Sequence, residues 1–229
     1  VRRNRERGWR AAGRDDRRRD RRARREWRAK LFGTAGSALV NLRIFNPDGS
    51  VYYTQDNFDL GEPVPADSGF GVTAWSSATA VIDNFEVETN IPGTSIETDD
   101  FSTGSGGLDT SSDWTTLVFG NSSADFTYSS GAIESPGGPE PVARFNSSSS
   151  LIAGKPFTVS TDVGFSSTGV GAGVAFGIEQ EPDSDYTFWQ FLLADGRSSA
   201  GGTEKDVRVR KLNDSGASAC VPQPSALTT

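Results

Sequence analysis

From Val40 onward the chain alternates apolar and polar residues in short runs, the two-residue period of a pleated strand. Val40, Leu42 and Ile44 alternate with Asn41 and Arg43. Asn46-Pro47-Asp48-Gly49 is turn chemistry, since Asp-Gly tolerates positive φ, and Val51-Tyr52-Tyr53 predicts the return strand of a hairpin. Asp56 to Ser68, with its Gly and Pro residues, reads as a loop. Trp75 and the run Val81 to Val87 predict two strands across Ser76-Ser77-Ala78, and Thr89 to Glu97 reads as a linker. Phe119-Gly120 leads through an Asn/Ser turn into Phe126-Thr127-Tyr128, and Val142 to Phe145 is another strand. The clearest strand is Phe157 to Phe165, whose odd positions face a core and whose even positions face water or a polar cleft. Ala172, Val174, Phe176 and Ile178 repeat that pattern. Tyr186 to Leu193 is apolar on both faces, as in a central strand covered on each side, and Val207-Arg208-Val209-Arg210 alternates once more. Many short strands without helices between them predict an all-β fold, an antiparallel sandwich.

Charge divides the chain. The first 30 residues hold 14 Arg and one Lys against five acids, a net of +10, whereas the other 199 hold 8 basic and 25 acidic residues, a net of −17. Arg17 to Arg28 has high helix propensity and acids at helical spacing, but no apolar stripe. It predicts a disordered or helical arm that packs on no core. Such an arm is either a binder of nucleic acid or anionic membrane, or a solvated tail outside the domain. The acidic body would repel phosphates, which argues against nucleic acid as its partner.

Cys220 is the only cysteine and histidine is absent. Disulfides within the chain, Cys/His zinc sites and His-dependent nucleophilic catalysis are thereby excluded, which leaves oxygen coordination of calcium or magnesium. Lys30, Gly33 and Gly36 break the stretch Ala29 to Val40, far short of the ~20 apolar residues of a membrane span. Nor does that stretch have the apolar block and cleavage site of an export signal.

The segment Gly71 to Val87, with Trp75 and Val81-Ile82-Asp83-Asn84-Phe85-Glu86-Val87, resembles the closing hairpin of concanavalin A-like (lectin/glucanase, laminin-G-like) jelly-roll domains. Asp99-Asp100-Phe101 followed by Asp113-Trp114 resembles their opening, and Phe157–Phe165 and Ala172–Phe176 resemble the strands that follow it. An end therefore precedes a beginning. The implied organisation is an Arg-rich arm (1–30), the C-terminal part of one sandwich (31–88), a linker (89–97), the N-terminal part of a second (98–213) and a polar tail (214–229). Either both modules are incomplete, or the earlier segment closes the later one as a circular permutation. Val221-Pro222-Gln223-Pro224-Ser225 resembles the start of the bacterial exosortase (PEP-CTERM-type) sorting signal, with Gln223 in place of Glu. That resemblance implies a bacterial cell-surface or extracellular setting.

What the family resemblance implies about function is a non-catalytic carbohydrate-binding or adhesion module with a polysaccharide or other glycan as partner. Val81 to Glu86 approximates the Glu-x-Asp-x-x-Glu run of laminarinase-type glycoside hydrolases, with Val81 in the nucleophile's place. Retaining hydrolysis needs two carboxyl groups about 5–5.5 Å apart, and strand alternation predicts that Asp83 and Glu86 point to opposite faces. A glycoside hydrolase and a purely structural spacer are the rival readings. In several jelly-roll carbohydrate-binding modules a closing-strand Asp and opening-strand acids hold structural calcium, and the resemblance implies Asp83, Asp99 and Asp100 for that role. Trp189 and Tyr186 are the expected ligand-binding aromatics, because ring faces stack on sugars. Being three apart, they should face opposite sides of their strand.

Overall fold

The computed structural model describes residues 26–75, 79–89, 96–117, 125–135, 141–146, 153–165, 169–180, 186–195, 205–213 and 219–220. Strands β1 (Trp27–Thr34), β2 (Leu39–Phe45), β3 (Val51–Asp59), β4 (Gly69–Trp75) and β5 (Ala80–Thr89) form the first half. There follow β6 (Glu97–Asp99), β7 (Trp114–Leu117), β8 (Thr127–Ser129), β9 (Ala132–Glu134) and β10 (Val142–Phe145). The last are β11 (Pro156–Phe165), β12 (Gly171–Gln180), β13 (Tyr186–Asp195), β14 (Lys205–Asn213) and β15 (Ala219–Cys220). Among the described residues the only helical turn is a 3-10 turn at Leu108–Thr110.

Two antiparallel sheets pack as a sandwich, the all-β architecture that the alternation predicts. The first sheet runs β3-β2-β1-β11-β5-β9-β8, with β6 also paired to β5, and the second runs β15-β14-β13-β12-β4-β10-β7. Strands from residues 27–89 and 97–213 interleave in both. β11 lies between β1 and β5, and β4 lies between β12 and β10. Separate halves would expose open backbone edges and apolar faces, whereas interleaving pairs those edges and gives both segments one core. Of the two architectures open from sequence, the described strands form the single closed sandwich.

The Arg-rich arm is shorter than its composition suggests. Trp27 to Lys30, counted with it above, begin β1, and Ala29 and Leu31 are fully buried between β11 and β2. Leu31 stands opposite both Val159 and Leu42, so its partners complete a core row that the flanking arginines mask in the sequence. The rest of the arm, residues 1–25, lies outside the described residues. A second difference concerns Asp56–Ser68, because β3 continues to Asp59. A bulge carries it: Asn57 adopts φ 51° and donates its N–H to Asn41 Oδ1 (2.8 Å), which returns Phe58 to the core.

β12 is buried along both faces from Gly171 to Ile178. Ala172, Val174 and Phe176 face the inter-sheet core, while Ala175 and Ile178 join Val142, Phe188 and Leu212 in a second cluster. Close approach is what Gly173 permits. A Cβ there would lie 2.0 Å from the Phe191 carbonyl oxygen, and one at Gly71 would lie 1.9 Å from that of Ala143.

Candidate functional site

β5 carries the run that sequence singled out, and a bulge decides how it is displayed. Asn84 takes φ 48°, and the register against β11 shifts so that Asp83 pairs with Asp162 and Glu86 with Ser160. Ile82 and Phe85, three apart, are both fully buried in the core. Asp83 and Glu86 therefore stand on the same outer face, not on opposite faces as unbroken alternation predicts. Their neighbour Asp162 is already engaged. It accepts Arg28 Nε and Nη2 at 2.6 and 3.0 Å, and Asn84 Nδ2 at 2.9 Å. The Asp162 hydrogen bond is the main cause that holds the Arg28 guanidinium above its ordinary value. Asp83 is 5% exposed and accepts the Asn84 N–H (2.8 Å), and Val81 lies opposite Gly164.

The acids expected to share calcium are distributed differently. Asp99 pairs with Phe85 across β6 and β5, so it faces inward while Asp83 faces outward. Its Oδ1 accepts the Phe101 N–H (2.7 Å) and its Oδ2 accepts the Trp114 Nε1–H (2.7 Å). Asp100 is exposed and accepts the Ser102 N–H at 3.1 Å. The strands that carry Asp83 and Asp99 do lie side by side, yet the bulge sends the two carboxylates to different faces. Among the described residues no three Asp, Glu, Cys or His side chains gather as a metal-ligand group.

Trp189 and Tyr186 do face opposite sides of β13. Trp189, 3% exposed, packs in the inter-sheet core with Lys211 Nζ 5.7 Å from its ring centre, and Tyr186 packs half-buried on the second cluster. Neither is among the residues that line an open cleft between β6 and β8.

That cleft, of about 440 Å³, lies over the segment between β6 and β8. Its floor rests on an aromatic group: Trp114 packs on Phe85, Phe101 and Phe145 at 5.1, 5.5 and 5.0 Å between ring centres. Phe101 takes φ 51°, held by the Asp99 bond, and turns the chain from β6 over that group. Gly104 then lies flat on Tyr128, where a Cβ would meet the ring at 2.0 Å. The Tyr128 N–H donates to the Gly106 carbonyl (2.9 Å), and the Leu108 N–H donates to that of Phe126 (2.7 Å). These bonds anchor the segment to β8.

The lining is polar. Asp99 and Asp113 are its acidic residues, Thr98, Thr103, Ser105, Thr110, Ser111 and Ser112 its hydroxyl residues, and Tyr128 and Phe145 border it while adding very little apolar surface. No lysine or arginine is among the lining residues. Burial pushes the Tyr128 phenol above its ordinary value, the carboxylates of Asp99, Asp113 and Asp125 push it further, and a hydrogen bond with Ser111 opposes them. Behind the wall, Asp125 accepts the Thr116 hydroxyl and the Asp109 N–H, and its hydrogen bond and charge hold the exposed Asp109 carboxyl above the usual range. Sequence reasoning took only Asp99 and Asp100 from this region. The available signal was a Gly/Ser/Thr-rich stretch carrying three more acids, Asp109, Asp113 and Asp125, between Asp100 and Phe126, bracketed by aromatic residues that bury.

No family model matches the chain, and no curated protein matches it.

Proposed function

We propose that this chain is a non-catalytic glycan-binding module whose ligand sits in the cleft over Trp114. The observation that carries the reading is the cleft itself. Hydroxyls and carboxylates suit the many O–H groups of a saccharide. Its wall is tied down by backbone bonds to β8, so little ordering cost accompanies binding. The concanavalin-like resemblance and the sorting-like Val221–Ser225 support a bacterial surface setting for such a module. The test is retention of the full chain on a glycan array, with Tyr128→Ala and the double variant Thr103→Ala/Ser105→Ala losing at least about tenfold in affinity, ~1.4 kcal/mol. Retention unchanged in both variants would place the ligand elsewhere, and no retention on any glycan would leave the structural spacer.

A glycoside hydrolase is the second reading, favoured by the bulge that displays Asp83 and Glu86 on one face. Against it stand the burial of Asp83 and the presence of Val81 where a nucleophile is needed. Release of reducing ends from β-glucan, lost in Glu86→Gln, would establish it.

A further inference from the structure

We propose that the cleft selects glycans carrying protonated amino groups, the glucosamine polymers, and that Asp113 is the residue that recognises the ammonium. This inference rests on the glycan-binding reading and goes on to the ligand's charge.

The two carboxylates that line the cleft are not equivalent. Asp99 is committed to the fold, one oxygen accepting the Trp114 indole N–H and the other the Phe101 amide. Asp113 is anchored by its backbone. Its N–H donates to Ser111 Oγ at 3.2 Å and its carbonyl accepts the Asn146 N–H at 2.8 Å. Its carboxylate receives only the Ser112 hydroxyl, at 3.3 Å, among the described residues. The main chain is thus held while the charged end remains available to a ligand. With no cation among the lining residues, that charge goes uncompensated within the cleft, and the acids around Tyr128 add to the same field. A uronate or sulfate would be repelled. A neutral sugar would meet the hydroxyls alone, and an ammonium adds a charge-assisted hydrogen bond to Asp113.

The experiment is calorimetric titration of the full chain with three hexamers, of glucosamine, of N-acetylglucosamine and of galacturonate, at low salt and a pH that keeps the amines protonated. The expected result is about tenfold tighter binding of the glucosamine hexamer than of its acetylated counterpart, with no binding of the galacturonate. Raising salt to about 0.5 M should shrink that preference, since the Debye length falls to a few ångströms. Asp113→Asn should abolish it, while Asp67→Asn, the same charge change on an exposed remote loop, should leave it intact. Equal affinity for the first two hexamers, a preference that survives Asp113→Asn, or equal loss in Asp67→Asn would overturn the proposal and leave glycan binding standing. Absence of binding to all three hexamers and to neutral β-glucans would remove both.

Discussion

Tyr53 reaches the core with its ring packed and its hydroxyl without a hydrogen-bond partner among the described residues. Burial pushes the phenol up to about 12. A raised value favours the neutral form in the folded state, so the associated stability is complete below pH 10. It is lost as pH rises toward 12, with a magnitude on the order of 2 kcal/mol. Tyr53→Phe should raise stability by about 1 kcal/mol at neutral pH and flatten that alkaline loss, as read from urea unfolding at pH 8 and pH 11. A destabilised variant would mean that the hydroxyl has a partner in the folded protein. Asp99 is the opposite case, because both oxygens serve buried or half-buried donors. Asp99→Ala should cost about 2–4 kcal/mol, since the indole N–H of Trp114, 2% exposed, would lose its acceptor. Tryptophan fluorescence should shift with it. An unfolding midpoint within experimental error of the native one would refute this role.

At the scale of elements, β5 shows how one residue rewrites a strand. Its ends obey the period of two, but Asn84 in the left-handed region adds a residue opposite Thr161 and moves Phe85 from the outer face to the core. Asn84 is suited to that backbone, and its amide also binds Asp162. Asn84→Gly should keep the bulge and lose only the side-chain bond, a cost under about 1 kcal/mol. Asn84→Val should cost about 2–3 kcal/mol, combining left-handed strain with the lost bond. The comparison is made by denaturant unfolding, and equal costs would mean that the bulge is not under strain. The same element explains why the candidate acids were legible as residues yet misplaced as a group. Asp83 and Glu86 could be picked out by chemistry, but the faces they occupy follow from a bulge that no sequence period announces. Elsewhere the reading served better: β10 and β11 match the strands expected over Val142–Phe145 and Phe157–Phe165 within one residue at each end, although Thr158 and Ser160, at even positions expected toward water or a polar cleft, are buried.

At the scale of the whole molecule, interleaving makes the two segments interdependent. β1 separates β2 from β11, so a chain starting at residue 35 would leave β11 with an open edge and the Leu31 row empty. Residues 1–95 and 96–229, produced separately, should each be unfolded, because each lacks the neighbours of its central strands. Co-expressed, they should associate into one sandwich, with amide dispersion regained in an NMR spectrum of the mixture. Either half folding alone with native-like dispersion would show that two independent modules exist. At the centre of each sheet the described strands pair with ones distant in sequence (β1 with β11, β11 with β5, β12 with β4, β4 with β10), a topology that also favours slow folding.

Alternation of side-chain type determined that this protein is built of strands, because a pleated chain shows its two faces every second residue wherever one of them is buried. Composition likewise determined the chemistry it lacks: with one cysteine and no histidine, neither disulfides within the chain nor His-based catalysis can be built. Tertiary structure decided the rest. Leu31 became a core residue only through Val159 and Leu42, and Ala29 through Thr161 and Ile44, partners more than 100 and more than 10 positions away along the chain. Trp189 faces the inter-sheet core because β12 and β14 flank it and set which way its strand turns. The cleft exists because Phe101 bends back over Trp114 and places Asp113 beside Tyr128. That juxtaposition depends on side chains meeting through the aromatic group, and local sequence carries no record of it.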